Sequence, residues 1–278
     1  MTAERNRRTA LITGASSGIG LALAREYAYW GCNLVLVARR RERLEQLAAE
    51  LKQEHGCECI VAPADLADPA SSEAIVAALE ARGKAIDVLV NNAGYGVPGK
   101  YLRQPWTVHQ DFLQVMVTTV AELTHRLLGP MVERGHGRIV NIASVAGHLP
   151  GSPGHTLYNA SKSWMIRFTE SLAFELQGTG VTATAVCPGF TYSEFHDVTG
   201  TRHLADRLPK YMWMDADTVA RQAYQAAELG EIVYVNGRWN RFLVWFERHL
   251  PRRVSYALVR RRSKRFRDQS QQQKKDRP

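Results

Sequence analysis

Short apolar runs alternate with longer amphipathic stretches along most of this chain. The short runs are rich in branched apolar residues, as buried strands are, and the longer stretches repeat their apolar positions at helical spacing. Seven strands are predicted in this way: Thr9–Thr13, Asn33–Ala38, Glu58–Ala62, Ile86–Val90, Arg138–Ser144, Val181–Val186 and Glu231–Val235. Because strands and helices alternate, we predict an α/β fold built on one doubly wound parallel sheet of seven strands.

Helices are predicted between these strands over residues 39–55, 69–82, 107–128, 158–177 and 215–229, and over Leu21–Trp30 after the first strand. The alternation breaks between Phe190 and Trp213, where an aromatic-rich stretch is predicted to form an inserted loop or short helices over the functional site. We expect residues 1–237 to form one domain. Residues 238–278 are expected to form a basic, amphipathic extension that is disordered toward its end.

Composition is typical of a soluble globular protein, with 45% hydrophobic and 23% charged residues. The net charge of +9 lies in the tail, because residues 252–278 hold eleven Lys and Arg against two Asp and the rest of the chain is balanced. Cys32, Cys57, Cys59 and Cys187 lack metal-ligand spacing, so neither zinc nor a disulfide is expected. Since no signal peptide or membrane-spanning run is evident, we expect a cytoplasmic protein, or one held peripherally at the inner membrane surface.

A glycine-rich turn joins the first predicted strand to the first helix. Its sequence from Thr13 to Gly20 is TGASSGIG. Glycines let the backbone approach a ligand closely, and a helix N-terminus offers unpaired N–H groups and a partial positive charge to a pyrophosphate. A strand, a glycine-rich turn and a helix in this order predict a dinucleotide-binding site.

The second predicted strand ends in two arginines, Arg39 and Arg40, with no acidic residue. In dinucleotide-binding folds an acidic residue at this place suits the 2′-hydroxyl of the adenosine ribose, whereas an arginine suits a 2′-phosphate. We therefore predict NADP(H) rather than NAD(H), with Arg39 as the contact. The alternative is that both arginines only begin a solvated helix. The fourth strand ends in Asn91–Gly94, small residues that a cofactor lying across the sheet edge would require.

Tyr158 and Lys162 lie four residues apart in a predicted helix, so both side chains project from one face. A tyrosine ordinarily has a pKa of about 10, and a neighbouring ammonium lowers that pKa by favouring the phenolate. Tyr158 is therefore predicted to exchange a proton with a substrate oxygen, which the hydroxyl of Ser144 at the end of the fifth strand could also bind. The alternative, two surface residues of an amphipathic helix, is opposed by the other motifs.

These motifs together resemble the classical short-chain dehydrogenases/reductases. They stand in that family's order and approximate spacing over residues 8–237: TGxxxGxG at Thr13–Gly20, NNAG at Asn91–Gly94, Ser144, YxxxK at Tyr158–Lys162, and PG at Pro188–Gly189. The resemblance is greatest to bacterial 3-ketoacyl reductases and 17β-hydroxysteroid dehydrogenases. It implies a Rossmann fold and an oxidoreductase that interconverts a ketone and a secondary alcohol. Two long helices with apolar faces are also typical of a homodimer or homotetramer.

The resemblance assigns roles to single residues. Tyr158 would be the acid/base, Lys162 would bind the nicotinamide ribose and lower the pKa of Tyr158, and Ser144 would hold the substrate oxygen. The cofactor would lie against residues in four groups: Gly14, Ser16, Gly18, Ile19 and Gly20 at the pyrophosphate and adenosine ribose, Asp65 and Leu66 at the adenine, Asn92, Ala93 and Gly94 on the adenine side, and Pro188, Gly189 and Thr191 at the nicotinamide.

One position departs from the family pattern. The family usually has an asparagine in the long helix, which is thought to hold a water that passes protons to the lysine, and counting back from Ser144 places Met116 there. A thioether cannot replace those hydrogen bonds, although the main-chain carbonyl of residue 116 could still hold a water. A second hypothesis therefore stays open: a weakly active or inactive cofactor-binding protein that serves as a redox-responsive or membrane-docked binding module.

The candidate pocket wall is apolar and aromatic. Its residues are Tyr95, Val97, Leu149, Phe190, Tyr192, Phe195, Tyr211 and Trp213. No arginine is placed there to clamp a small carboxylate, so we expect a bulky hydrophobic ketone such as a 3-oxoacyl or steroid-like compound. The alternative is that these aromatic residues are core or oligomer contacts.

Two apolar and basic segments, Asn240–Leu250 and Val254–Phe266, follow the last predicted strand. Aromatic residues among arginines are typical of a helix that lies in a membrane interface. The same surface could dock an acyl carrier protein, attract a CoA substrate, or form a solvated tail. A nucleic acid partner is not expected, because the aromatic residues follow an amphipathic pattern and no nucleic-acid motif accompanies the charge.

Overall fold

The computed structural model describes residues 7–97, 99–192 and 209–260. Phe195 and residues 261–278, for which a pocket role and a tail were predicted, lie outside the described residues. The strands are β1 Thr9–Thr13, β2 Asn33–Ala38, β3 Cys59–Pro63, β4 Val88–Asn91, β5 Gly137–Ile142, β6 Val181–Cys187, β7 Phe190–Thr191, β8 Trp213–Met214 and β9 Val233–Val235. The α-helices are α1 Gly18–Tyr29, α2 Arg41–His55, α3 Ser71–Glu80, α4 Trp106–Leu113, α5 Thr119–Glu133, α6 Thr156–Glu175, α7 Ala216–Glu228 and α8 Arg238–His249.

Seven of the strands form one parallel sheet in the order β3-β2-β1-β4-β5-β6-β9, and β7 pairs with β8 in a separate ribbon. The predicted fold class is therefore confirmed. The strand order reverses between β1 and β4, and in open α/β sheets ligands bind outside the carboxyl ends of the strands at such a point. The topology alone places a binding site where the glycine-rich turn and the NNAG segment emerge.

The strands are apolar throughout because helices cover both faces of the sheet. In β1, Ile12 packs into the core on one face and Leu11 into the core on the other. In β2, Leu36 and Val35 divide in the same way. Successive residues of a strand point to opposite faces, and both faces are buried, so continuous apolar runs predicted the seven strands to within two residues at either end.

The long helix predicted over residues 107–128 is interrupted. The π-helical turn Gln114–Thr118 separates α4 from α5, and α5 continues to Glu133. A π turn adds one residue to a helical turn and leaves the apolar spacing on either side intact, so periodicity could not show it. The fifth strand also ends earlier than predicted, because Ser144 begins the 3₁₀ turn Val145–Gly147 instead of extending β5.

The beginning of the predicted extension is helical and packs on the sheet domain. Asn240 and Val244 of α8 are 5% and 7% exposed. After Pro251 the chain is again helical over residues 252–260, and Ser255 Oγ there donates to Glu247 Oε1 of α8 at 2.6 Å. None of the helices in the described ranges combines the length and apolar character that crossing a bilayer requires.

Candidate active site

Thr13, the last residue of β1, joins the glycine-rich turn to the segment after β4. Its hydroxyl accepts hydrogen bonds from the backbone N–H groups of Asn92 and Ala93 at 2.9 and 3.0 Å and donates to Val90 O at 3.2 Å. The side-chain amide of Asn92 donates to Thr13 O at 2.8 Å. The two segments therefore form one hydrogen-bonded edge at the switch point of the sheet.

The glycines of the turn lie where a side chain would collide. A Cβ atom on Gly20 would clash with Gly14 O and with the side-chain amide of Asn92. Gly14 has a φ of +70°, and a Cβ atom there would lie 2.8 Å from Asn92 Nδ2. Gly18 begins α1 with a φ of +55°. No side chain covers the backbone of these glycines at the start of α1. A pyrophosphate could therefore approach the backbone N–H groups closely.

The two arginines after β2 point to different parts of this edge. Arg40 Nη2 donates to Ser16 Oγ at 3.1 Å, so Arg40 lies along the glycine-rich turn. Arg39 is exposed and lies near Tyr95, whose pKa is raised mainly by burial, while the charge of Arg39 opposes that rise. Ala38 of β2 pairs with Pro63 of β3, so Arg39 and Asp65 follow the ends of neighbouring strands, on the predicted adenine side. Sequence reasoning chose Arg39 and did not foresee the contact of Arg40 with Ser16.

An open groove runs past the start of α1. It is lined by Ser16, Ser17, Gly18, Leu21, Ala22, Arg25, Arg43, Tyr192, Ala216 and Asp217. Two further arginines therefore border the region in which a dinucleotide phosphate would lie. Tyr192, which was predicted in the substrate wall, lies at this groove instead.

The predicted adenine residues follow β3 at the same edge of the sheet. Asp65 is exposed, and its Oδ1 accepts a hydrogen bond from Ala67 N at 3.1 Å. Leu66 is 6% exposed, and its carbonyl accepts from Thr119 Oγ1 of α5 at 3.0 Å. Ile19 of α1 is half-buried against the core. These residues border the site, and their contact with a cofactor stays a prediction.

Ser144 is held at the carboxyl end of β5 by the 3₁₀ turn that it begins. Its Oγ accepts from Ala146 N at 3.1 Å and donates to Pro188 O at 3.4 Å. Pro188 O also accepts from Val145 N at 2.9 Å. The hydroxyl is thereby fixed beside the predicted nicotinamide segment.

Tyr158 and Lys162 project from the first turns of α6 toward Ser144. Tyr158 is hydrogen-bonded to Ser144. Lys162 is 4% exposed, and its Nζ donates to Ile142 O at 2.6 Å and lies 5.9 Å from the centroid of the Tyr158 ring. The three residues predicted to be catalytic therefore meet in one place.

Burial governs the pKa of both ionisable groups. It raises the pKa of Tyr158 above its ordinary value, and the hydrogen bond with Ser144 offsets only part of that rise. Burial lowers the pKa of Lys162 to about 8, with the nearby Cys187 acting in the opposite direction. The pKa of Tyr158 is therefore raised overall and not lowered as predicted, because lost solvation dominates at the phenol. The ammonium of Lys162 donates to Ile142 O, and its stabilising effect on the phenolate stays a prediction. A neutral phenol is suited to give a proton to a carbonyl oxygen.

Met116, at the place of the family's usual asparagine, lies in the π-helical turn and is fully buried. A Cβ atom on Gly94 would lie 2.9 Å from Met116 Sδ. The thioether therefore packs directly on the predicted cofactor segment and occupies space that Gly94 leaves open. π turns recur at functional sites, and this one places irregular backbone next to the predicted relay.

The segment after β6 is fastened by α8. A Cβ atom on Gly189 would collide with the side-chain amide of Asn240. Thr191 is 4% exposed, and its Oγ1 donates to Gly189 O at 3.2 Å. The predicted nicotinamide residues Pro188, Gly189 and Thr191 thus lie between β6 and α8. Sequence reasoning missed Asn240, whose one signal was an isolated amide within an aromatic and basic segment.

A shallow cleft borders Tyr158. Its walls are Val97, Gly99, Tyr101, His109, Gly154, His155, Thr156 and Leu157. His109 is fixed in the wall, because its Nε2 lies 2.8 Å from Tyr101 O and its ring stacks on that of Tyr101. Of the predicted wall residues only Val97 lines this cleft among the described residues. His109 was missed because a single histidine at the start of a helix carries no distinctive pattern.

The other predicted wall residues that the structure describes lie apart from the cleft. Tyr95 packs edge to face on Phe112, with ring centroids 5.5 Å apart. Phe190 and Tyr192 pack on Trp213, and Tyr211 packs on Trp239 of α8. Leu149 is half-buried after the 3₁₀ turn. Much of the predicted wall is therefore an aromatic surface that leads from the site toward α8.

The chain matches the family model described as short chain dehydrogenase over residues 8–202. It belongs to the short-chain dehydrogenases. The family predicted from the motifs is confirmed, and the protein is an oxidoreductase enzyme.

Three known proteins show how far this similarity extends. Nodulation protein G of Rhizobium sp. (strain N33) is 37% identical over 243 residues, which cover 84% of this chain and 97% of that protein. The granaticin polyketide synthase putative ketoacyl reductase 1 of Streptomyces violaceoruber is 42% identical over 183 residues, covering 65% of this chain and 66% of the relative. The solved short-chain dehydrogenase from Sphingobium yanoikuyae in complex with NADPH is 33% identical with a TM-score of 0.76, covering 84% of this chain and 92% of that one.

Proposed function

We propose that this short-chain dehydrogenase uses NADP(H) to interconvert a hydrophobic ketone and its secondary alcohol, with Tyr158 as the acid/base. One observation carries the proposal: Tyr158 is hydrogen-bonded to Ser144 beside the buried Lys162, on the sheet edge that also carries the glycine-rich turn. Reduction of a carbonyl requires the protein to orient the substrate, supply a proton and bind the cofactor. The three side chains could do the first two, and the glycine-rich edge of the sheet could do the third.

The residues divide the work of the reduction among them. When bound, NADPH supplies the hydride. Ser144 would donate a hydrogen bond to the carbonyl oxygen, and the neutral Tyr158 would give that oxygen its proton. Lys162, whose pKa of about 8 leaves it largely charged at neutral pH, would stabilise the phenolate that remains and contact the nicotinamide ribose. In the reverse direction Tyr158 takes the proton back.

The residues present fit NADP(H). Gly14 and Gly20 leave backbone that a side chain would cover, and Arg39 and Arg40 follow β2 where an acidic residue would favour NAD(H). The Sphingobium yanoikuyae structure holds NADPH. We propose that the cofactor contacts the residues assigned above, with Arg40 added to Arg39 at the 2′-phosphate.

We propose a 3-oxoacyl, steroid-like or similar hydrophobic compound as the substrate. The cleft beside Tyr158 has no acidic or basic side chain among its described walls other than the two histidines. The name of the Streptomyces violaceoruber relative, a putative ketoacyl reductase, agrees with a ketone. The physiological direction depends on the substrate.

The test is NADPH consumption against a panel of hydrophobic ketones by the wild type and Tyr158→Phe. Both proteins should bind NADPH equally, and turnover should fall by at least about a hundredfold in the variant because the proton donor is gone. Ser144→Ala serves as a second variant with the same expected direction. Tight NADPH binding without turnover on any ketone, or on secondary alcohols with NADP⁺, would contradict the reductase, and Met116→Asn would then show whether the missing amide is the cause.

We further propose a cytoplasmic homodimer or homotetramer. Val132 of α5 and Phe174 of α6 are 37% and 60% exposed. Both helices are long, with 15 residues in α5 and 20 in α6. Sedimentation velocity tests the assembly, and a monomer at micromolar concentration would contradict it. Residues 1–237 remain the proposed catalytic domain and 238–278 the proposed extension, through which the protein would contact a membrane surface.

A further inference from the structure

Helix α8 has two opposite faces. Asn240 and Val244 point to the protein and are almost fully buried. On the other side the large aromatic residues Trp239, Phe242, Trp245 and Phe246 are 36%, 49%, 56% and 44% exposed. At 3.6 residues per turn these four positions share one side of the helix. The sequence predicted an amphipathic segment, and the structure leaves its apolar face outward.

The exposed rings touch each other and form a continuous surface. The centroid of Phe242 lies 5.6 Å from Trp239, 6.2 Å from Trp245 and 6.1 Å from Phe246. Isolated exposed apolar residues are ordinary, but a contiguous aromatic patch of this kind marks an interaction surface. We call these four residues the aromatic face of α8.

Charge indicates what the aromatic face binds. Residues 238–260 hold six arginines and one acidic residue, Glu247. All six arginines are exposed: Arg238, Arg241, Arg248, Arg252, Arg253 and Arg260. A second copy of this chain would bring an equally positive surface to the contact, whereas an anionic phospholipid surface complements it. Trp and Phe on one face with arginines around them are the composition of helices that lie in a membrane interface.

The aromatic face begins at the edge of the sheet that carries the site. α8 starts three residues after β9 ends, at the carboxyl ends of the strands. Asn240 on its inner side packs on Gly189, and Trp239 on its outer side packs on Tyr211 with ring centroids 5.2 Å apart. Tyr211 lies two residues before Trp213 of β8, and the ring of Trp213 contacts those of Phe190 and Tyr192. Aromatic side chains thus lead from the nicotinamide segment to the outer surface of α8.

We propose that α8 is an interfacial helix that lays its aromatic face among the acyl chains of an anionic phospholipid membrane, with the surrounding arginines at the phosphates. Docking in this way holds the nicotinamide side of the site beside the bilayer, from which a hydrophobic ketone enters without crossing water. The source of the ketone rests on the proposed function, whereas the docking rests on α8 alone.

The experiment measures binding of the full chain, without cofactor or ketone, to vesicles of phosphatidylcholine with or without phosphatidylglycerol. We expect weak binding to the neutral vesicles through the aromatic face and much tighter binding to the anionic vesicles, because the arginines add attraction to the phosphates. Phe242→Ser combined with Phe246→Ser should lower the partition coefficient by about a hundredfold, since each lost aromatic contributes about tenfold. Tyr29→Ser is the matched control, because Tyr29 is 68% exposed at the far end of α1 and should leave binding unchanged.

Electrostatic attraction of the tail must be separated from insertion of the aromatic face. Residues 261–278 hold eight Lys and Arg, whose binding is screened by high salt and does not depend on Phe242 or Phe246. Quenching of tryptophan fluorescence by brominated acyl chains reports insertion of Trp239 and Trp245, and it should persist at high salt in the wild type and vanish in the double Phe variant.

Three outcomes would overturn the proposal. They are absence of binding to anionic vesicles, equal binding by the wild type and the double Phe variant, and a lipid-free oligomer that the same variant dissociates, which would make the face a contact between copies. Turnover of a water-soluble ketone should be the same in the double variant and the wild type. A protein that docks but reduces no ketone would refute the proposed function and leave the docking intact.

Discussion

The two halves of the site are built in different ways. After β1 and β4 the edge consists of backbone held at close range, with Thr13 bridging the two segments and Gly20 packed against Gly14 and Asn92. After β6 the edge consists of aromatic side chains, many of them exposed, such as Tyr192 and Tyr211 at 52% and 64%. The first half offers main-chain groups to a ligand and the second offers apolar area.

This difference shows how each half limits its residues. Where backbones approach within contact distance, only glycine fits, so the sequence carries a sharp signal. Where a surface needs only apolar area, many side chains serve, and their positions depend on how the chain is folded over the site. The half after β1 and β4, which is the predicted cofactor half, is therefore closely specified, whereas other apolar side chains could replace those of the aromatic half after β6.

Among the substitutions considered, Gly20→Ala should have the largest effect on NADPH binding. The added Cβ would collide with Gly14 O and the amide of Asn92, and overpacking of this kind costs about 1–3 kcal/mol. We expect NADPH binding to weaken by at least about a hundredfold, because the turn must move away from the pyrophosphate. Fluorescence titration with NADPH and thermal unfolding measure the two effects.

Gly129→Ala is the matched control. Gly129 lies inside α5, and apart from its chain neighbours and the adjacent backbone of the helix no atom of the described residues lies within 4 Å of its added Cβ. Alanine in a helix interior is more stable than glycine by about 0.5–1 kcal/mol, so this variant should unfold at the same temperature or slightly higher. If Gly20→Ala bound NADPH as tightly as Gly129→Ala, the close packing of the turn would not matter for the cofactor.

Lys162 lies where the two halves of the site meet, and Lys162→Met should lower turnover while making the folded protein more stable. Burial lowers the pKa of Lys162 from 10.5 to about 8, so the charged form destabilises the folded protein by about 3 kcal/mol below pH 8. Removing the charge should abolish turnover and raise the free energy of unfolding at pH 7 by about 1–3 kcal/mol, after loss of the hydrogen bond to Ile142 O.

The stability of Lys162→Met relative to the wild type should depend on pH. Between pH 8 and 10.5 the unfolded wild type binds a proton that the folded protein has lost, so the wild type gains stability as pH rises through this window. The advantage of Lys162→Met should therefore shrink there and disappear above it. Urea unfolding at several pH values measures this. A variant that is less stable than the wild type at pH 7 would show that Lys162 stabilises the fold despite its burial.

The fold could be predicted because its strongest signals are local. Strands buried on both faces give continuous apolar runs, and β1 and β2 begin and end at the predicted residues. The polar Asn141 did not hide its strand, whereas Asn91 was predicted to follow the fourth strand and instead ends β4. Asn91 Nδ2 donates to Asn141 Oδ1 at 2.9 Å in the paired register of β4 and β5, so each amide has its partner inside the sheet. The glycine-rich turn could be found because only glycine fits there.

What the sequence did not show depends on distant contacts. The sign of the pKa shift of Tyr158 follows from its burial, which the YxxxK spacing does not contain. The packing of Asn240 on Gly189 joins positions 51 residues apart. The aromatic residues after β6 were all assigned to one pocket wall, because composition cannot show which way each ring points. In the structure Tyr192 lines the groove at the start of α1, and Tyr211 packs on Trp239 of α8.

Arg39→Ala and Arg40→Ala should have the smallest effects, and these should fall on the preference for NADPH over NADH. Charge-assisted hydrogen bonds to a phosphate contribute about 1.5–3 kcal/mol, so each substitution should weaken NADPH binding by about ten- to a hundredfold and NADH binding by much less. Arg40 also donates to Ser16, so Arg40→Ala should weaken NADH binding slightly more than Arg39→Ala does. Titration of each variant with both cofactors gives the ratio of NADPH affinity to NADH affinity.

Arg41→Ala is the control for these two, since Arg41 is exposed in α2 and pairs with Glu45 at 3.5 Å away from the turn. Its ratio of NADPH to NADH affinity should equal that of the wild type. Equal losses of both cofactors in Arg39→Ala would remove Arg39 from the 2′-phosphate. If Arg40→Ala alone changed the ratio, the residue that touches the glycine-rich turn would also determine cofactor choice, and backbone geometry would then govern both the position and the identity of the dinucleotide.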